Sequence, residues 1–152
     1  MAQIYMFAYG MNTNLGSMQN RTPTSVSLGR AQLNNFEFRF AYHADVVPKR
    51  NKMVEGVLWA IDHDGLKALD AFEGYPNYYD RKEVIVTCKG KEYAAWVYVM
   101  TPGYVLGIPS NHYKDLLLEG YTQHRIPINQ ILEGLDQARY YEVDKANKLA
   151  YN

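Results

Sequence analysis

The chain has 152 residues, 47 % hydrophobic and 21 % charged, with sixteen basic side chains balancing sixteen acidic ones. That length fits one domain, 1–152, and the composition excludes a disordered chain, which is poor in apolar residues and strongly charged. Zero net charge offers no global field for nucleic acid or an anionic membrane, and no apolar run reaches the ~18 residues that span a bilayer.

A single cysteine, Cys88, permits neither an internal disulfide nor a cysteine-based zinc site and suits a reducing compartment. The N-terminus lacks the basic, apolar and small-residue regions of a secretory signal, so a cytoplasmic protein is expected and the Asn20-Arg21-Thr22 sequon is read as idle. Fourteen tyrosines are the unusual count. Tyrosine joins an apolar body to one hydroxyl, which suits both core filling and the lining of a small polar pocket.

Ile4 to Tyr9 is a short apolar run ending at Gly10, the pattern of a buried strand entering a glycine loop. Loop Gly10-Met11-Asn12-Thr13-Asn14 leads to Leu15 and Met18, one or two helical turns capped by Thr13 or Asn14 and ended by Pro23. Val26 and Leu28, then Phe36, Phe38 and Phe40, alternate with polar residues and predict two half-buried strands, with Gly29 marking a bulge in the first. Residues 41–52 are polar, contain Pro48 and read as a loop; Val54 to Ile61 reads as a strand in which Gly56 invites close backbone approach.

Asp62 or Asp64 can cap a helix through about Glu73, with Gly74 where a left-handed C-cap belongs. Glu83 to Cys88 and Tyr93 to Met100 form a predicted hairpin about Lys89-Gly90, and 101–109 is a loop. Ser110 caps a helix bearing Tyr113, Leu116, Leu117 and Tyr121. A last helix after Pro127 puts Ile128, Ile131, Leu132 and Leu135 on one face. About six strands followed by helices predict an α+β fold, a curled sheet or small barrel with flanking helices.

Glu73 breaks the pattern. At ~100° per residue, Leu66, Leu69 and Phe72 define an apolar face, and Glu73 falls between Leu66 and Leu69. Burial and the negative end of the helix dipole both disfavour its ionised form and push its pKa toward the range of a general acid or base. The alternative is a frayed helix end that turns Glu73 to solvent or onto a neighbouring amide. Asp70, at the edge of the stripe, is the weaker candidate.

Two other features could hold an anion: successive amides around Tyr9-Gly10-Met11-Asn12, and the helix start at Ser110 to Tyr113; taken alone, a plain strand-to-helix turn and a plain cap are the better explanations. His43, His63, His112 and His124 lack metal-ligand spacing. No GxSxG, phosphate-loop or GxGxxG motif occurs, and Cys88 within a strand reads as a small core residue.

In order and spacing these residues resemble the γ-glutamyl cyclotransferase superfamily. Its Tyr-Gly-Ser-Asn loop is matched by Tyr9-Gly10-Met11-Asn12, its Arg-x-Pro element by Arg21-Thr22-Pro23, and its Gly-x-x-Trp strand by Gly56-Val57-Leu58-Trp59. Leu69-Asp70-Ala71-Phe72-Glu73-Gly74, Tyr79-Asp80-Arg81, and Pro109-Ser110 with Tyr113 and Gly120 complete a resemblance over about residues 4–125. Met11 stands where the best-known members carry serine.

The resemblance implies a small mixed β-barrel with helices outside and a pocket at one end. It implies closure of a small-molecule γ-glutamyl substrate to 5-oxoproline with release of its amine, without metal or cofactor, by a monomer or homodimer. Glu73 would be the general acid and base. Gly10, Met11 and Asn12 would bind the oxyanion or α-carboxylate through backbone amides, Tyr79 and Tyr113 would supply hydroxyls, and Tyr9 would shape the loop. Two other expectations stand beside it: a deprotecting enzyme for a γ-glutamyl-modified metabolite or protein side chain, and an inactive ligand-binding or regulatory domain on the same fold.

Overall fold

A computed structural model describes residues 3–150. Five strands, β1 (Ile4–Ala8), β2 (Val26–Ala41), β3 (His43–Ile61), β4 (Tyr79–Cys88) and β5 (Lys91–Met100), close a barrel in the order β1-β3-β2-β4-β5. Every pairing is antiparallel except β1 with β5, which is parallel through Met6 and Trp96. Helices α1 (Leu15–Arg21), α2 (His63–Glu73), α3 (Asn111–Gln123) and α4 (Asn129–Ala150) lie outside, so the fold is the expected α+β mixed barrel. No helix among the described residues is long and apolar enough to cross a membrane.

The barrel has five strands rather than six. The two segments around Val26 and Phe36–Phe40 form one strand, whose register shifts between Ser27 and Gly29 and again between Asn34 and Phe36. The first shift is the expected Gly29 bulge, with φ at 104°. The predicted loop at 41–52 is instead mostly the first half of β3, reversing at Tyr42 (φ 65°) and pairing with β2 from His43 to Pro48, while 49–52 loop out before pairing resumes at Met53. Pro48 sits opposite Phe36, directly beside the second irregularity, where a residue without an N–H is tolerated.

The hairpin about Lys89-Gly90 forms as expected, both residues at positive φ, although β4 begins earlier, at Tyr79. Gly56 faces Ala8 and Phe7 across the β1–β3 pair so closely that a Cβ there would lie 2.6 Å from Phe7 Cζ. Phe7, Leu33, Phe40, Leu58, Leu117, Tyr121 and Ile131 are among the fully buried side chains. Helix α4 crosses β2 at Gly134, where a Cβ would come within 3.1 Å of both the Phe38 and Phe40 rings. Ile131 and Leu135 of its predicted face are buried, but Leu132 is exposed, because that face is wider than the contact with the sheet, and Ile128, also exposed, precedes the helix, which starts at Asn129.

Candidate active site

Helix α2 delivers Glu73. Asp62 caps its start, accepting from the Gly65 amide at 2.7 Å, and Gly74 ends it in the left-handed region at φ 67°. Leu69 of the predicted apolar face is fully buried and Leu66 half-buried, whereas Phe72 is 46 % exposed and lies against the Arg21 guanidinium, 3.5 Å from its ring centre. The stripe therefore runs from the core at Leu69 to the rim of a cavity at its last turn.

That cavity, about 120 Å³, is lined by all seven residues singled out in the sequence: Tyr9, Gly10, Met11, Asn12, Glu73, Tyr79 and Tyr113. They come from the end of β1, the following loop, the end of α2, the start of β4 and the first turn of α3. His43, Ala44, Phe72, Tyr78 and Tyr98 also line it, and as a site they were missed. His43 carried no metal-spacing signal and fell in the segment read as a loop; Tyr78 had only its neighbour Tyr79 to suggest it.

The loop after β1 is held from three sides. Residues Met11–Thr13 form a 3-10 turn, and Asn14, one of the two expected caps, starts α1 by accepting from the Ser17 amide. Trp59 donates to the Asn12 carbonyl at 2.9 Å, and α3 contributes the Tyr121 hydroxyl, which donates to the Tyr9 carbonyl at 2.6 Å. The Met11 and Asn12 amides open the turn and have no carbonyl within it to bond, the usual state of N–H groups at a helix start. Gly10 keeps the cavity open, since a Cβ there would lie 3.1 Å from both Ala44 Cβ and the Tyr113 hydroxyl.

Glu73 Oε1 accepts a hydrogen bond from Asn12 Nδ2 at 3.0 Å, and Asn12 Oδ1 accepts from Arg21 Nη1 at 3.2 Å. A guanidinium only donates, so Arg21 fixes the Asn12 amide with its oxygen outward and its NH₂ toward Glu73. The second Arg21 nitrogen reaches Met11 Sδ at 3.0 Å. Burial pushes the Glu73 carboxyl up to about 7, against the opposing pull of Arg21 and the Asn12 hydrogen bond. Asp70 takes no part in the cavity: its Oδ1 accepts from Arg81 Nε at 3.0 Å and from the Tyr98 hydroxyl at 2.7 Å.

The tyrosines differ in what they can offer. The Ala44 N–H donates to the Tyr113 hydroxyl at 2.9 Å, while the Tyr79 hydroxyl donates to the Ala44 carbonyl at 2.6 Å. Tyr113 thus keeps its proton for an acceptor in the cavity, having none among the described residues, and Tyr79 keeps a lone pair for a donor. Tyr9 spends its hydroxyl proton on the Tyr98 carbonyl at 2.6 Å. Burial raises the pKa of all three, so they act as neutral hydroxyls. Among the described residues no three His, Cys, Asp or Glu side chains group closely enough to hold a metal ion.

The model of the gamma-glutamyl cyclotransferase, AIG2-like family matches residues 6–123. The Methanocaldococcus jannaschii protein MJ1514 is 27 % identical over 118 residues, 73 % of this chain and 96 % of its own. A Bos taurus gamma-glutamylcyclotransferase is 28 % identical over 136 residues, 80 % of this chain and 72 % of its own. A solved gamma-glutamyl cyclotransferase superposes with a TM-score of 0.76 at 26 % identity, covering 91 % of this chain and 87 % of that one. With the matched segment running from β1 through α3 and enclosing every residue of the cavity, the chain belongs to the gamma-glutamyl cyclotransferase, AIG2-like family.

Proposed function

We propose that the protein cyclises a γ-glutamyl amine, amino acid or peptide to 5-oxoproline and releases the free amine, with Glu73 as general base and then general acid. The observation that carries this reading is a carboxyl whose pKa is raised to about 7 by burial, fixed by Asn12, on the wall of a cavity otherwise lined by tyrosine hydroxyls, one imidazole and apolar groups. A group with a pKa near the working pH can accept a proton and return it within one turnover.

Glu73 takes a proton from the substrate's α-ammonium. The freed amine attacks its own γ-carbonyl carbon, closing a five-membered ring and placing negative charge on the carbonyl oxygen. The Met11 and Asn12 amides are suited to that oxyanion or to the α-carboxylate, and the Tyr113 hydroxyl can donate to whichever of the two faces it. Tyr79, with only a lone pair free, suits the ammonium. Glu73 then protonates the departing nitrogen as the γ-carbon–nitrogen bond breaks. A second proton then passes by the same carboxylate from the ring nitrogen to the released amine: the α-nitrogen goes from three hydrogens to one, the departing nitrogen leaves as an ammonium, and neither water nor a redox partner enters the balance.

Nucleophile and electrophile share one molecule, so correct orientation in the cavity can remove up to about 7–11 kcal/mol of barrier, and a placed base adds ~10²–10⁴ in rate. Met11 in place of the family serine is compatible with this scheme, because its sulfur engages Arg21 and the loop's contribution comes from backbone amides.

The test is 5-oxoproline release from γ-glutamyl amino acids, γ-glutamyl-ε-lysine, glutathione and simple γ-glutamyl amines, beside Glu73→Gln. Release that falls at least ~10²-fold in a folded variant supports the assignment. Undiminished turnover removes Glu73 from the mechanism.

A further inference from the structure

We propose that the mouth of the cavity is a subsite for an aromatic leaving group, so that the preferred substrates are γ-glutamyl derivatives of arylalkyl amines without a free carboxylate; this rests on the cyclotransferase reading. Burial divides the cavity into a floor and a mouth. Tyr9, Asn12, Ala44, Tyr79, Tyr98 and Tyr113 are buried, and among them the Asn12 amide and the Tyr79 and Tyr113 hydroxyls keep polar capacity for a glutamyl moiety. Gly10 and Glu73 are half-buried and mark the boundary, and Met11, His43, Phe72 and Tyr78, half-buried or exposed, stand on the solvent side where the group carried by the γ-carbon leaves the cavity.

Apart from the His43 imidazole and the Tyr78 hydroxyl, which bond to each other, the mouth is apolar, and its aromatic walls are already fixed. Phe72 rests with one face on the Arg21 guanidinium, 3.5 Å from its ring centre. Tyr78 is braced edge-to-face by Tyr79 at 5.0 Å and Tyr104 at 5.1 Å, and its hydroxyl lies 2.7 Å from His43 Nδ1. Walls that are set before binding lose little side-chain entropy when a ring enters, and ring edges and faces at such spacings favour another ring.

Charge argues in the same direction. Among the described residues lining the cavity, Glu73 is the one carboxylate and His43 the one basic side chain. Burial lowers the His43 pKa from its ordinary 6.5, which leaves it neutral at pH 7. Arg21 is committed to Asn12, Met11 and the Phe72 ring. A departing amino acid would bring a carboxylate to this mouth with no free cation to meet it, whereas an arylalkyl amine brings only apolar surface.

The experiment compares kcat/KM for γ-glutamyl-2-phenylethylamine, γ-glutamylethylamine and γ-glutamylphenylalanine, read as 5-oxoproline released. The aryl amine should exceed both others by at least about tenfold, the order expected for extra apolar groups in a matching pocket. Phe72→Ala should narrow the aryl-to-ethyl ratio severalfold, and Tyr104→Ala, which removes the brace on Tyr78, should narrow it too. Both side chains are more than 40 % exposed, so neither variant opens the core. Equal rates for aryl and ethyl amines, a preference for the amino acid, or an unaltered ratio in both variants would overturn the subsite while leaving the cyclotransferase standing. Absence of 5-oxoproline from all three and from the wider γ-glutamyl panel removes both.

Discussion

A buried carboxyl raised to about 7 makes the protein's stability depend on pH in a direction opposite to that of a salt-bridged acid. Between its ordinary value of 4.5 and about 7, Glu73 holds a proton in the folded chain that it has lost in the unfolded one. Stability is therefore fully present below pH 4.5 and falls as pH rises toward 7. At 1.36 kcal/mol per pH unit, the folded state loses about 3 kcal/mol across that window. Glu73→Gln keeps the size of the side chain and an oxygen for the Asn12 NH₂, but carries no charge at any pH. Urea denaturation of both proteins from pH 4.5 to 8.5 isolates the effect, because every other titrating group cancels in the difference. The variant should match the wild type at pH 4.5 and exceed its stability by about 3 kcal/mol above pH 7, the cost of keeping a poised base in a largely desolvated position. A difference that stays flat across the range would refute the reasoning, since Glu73 would then ionise alike in the folded and unfolded chains.

The neighbours of Glu73 give further tests. Arg21→Met removes the cation that opposes burial and frees the Asn12 amide to turn, so the acid limb of the kcat/KM profile should move to higher pH, with Arg21→Lys restoring part of the shift; a profile identical to wild type would show that Arg21 does not act on Glu73. Tyr113→Phe leaves the buried Ala44 N–H without a partner and should cost about 1–3 kcal/mol by urea denaturation, together with a loss of kcat/KM; a loss of stability alone would make Tyr113 a structural residue only. Gly56→Ala forces a methyl group onto the Ala8 carbonyl and the Phe7 ring and should lower Tm by more than any surface substitution; an unchanged Tm would mean that β1 and β3 can part there without loss.

What the sequence determined by itself was local. The spacing of Leu66, Leu69 and Glu73, the Asp62 cap and Gly74 defined α2 and singled out its carboxylate, because helical period and termini are set within a few residues. Lys89-Gly90 marked its hairpin for the same reason, the positive φ of both residues matching the twist of the strands they join.

Tertiary structure decided the rest. The first half of β3 carries polar residues and Pro48, so nothing in its own pattern marks a strand; it is one because β2 lies alongside to receive its hydrogen bonds. That misreading hid His43 and Ala44, and with them the single backbone unit that orients both Tyr79 and Tyr113. Phe72 shares a helical face with Leu69, yet one is exposed and the other fully buried, because Leu69 packs into the core while Phe72, in the last turn, stands at the rim of the cavity. Asn12 and Glu73, 61 residues apart in the chain, meet only when the barrel closes. Periodicity tells which side of an element avoids water; which atoms fill that side, and where it opens into a cavity, is settled by contacts between segments that carry no record of one another.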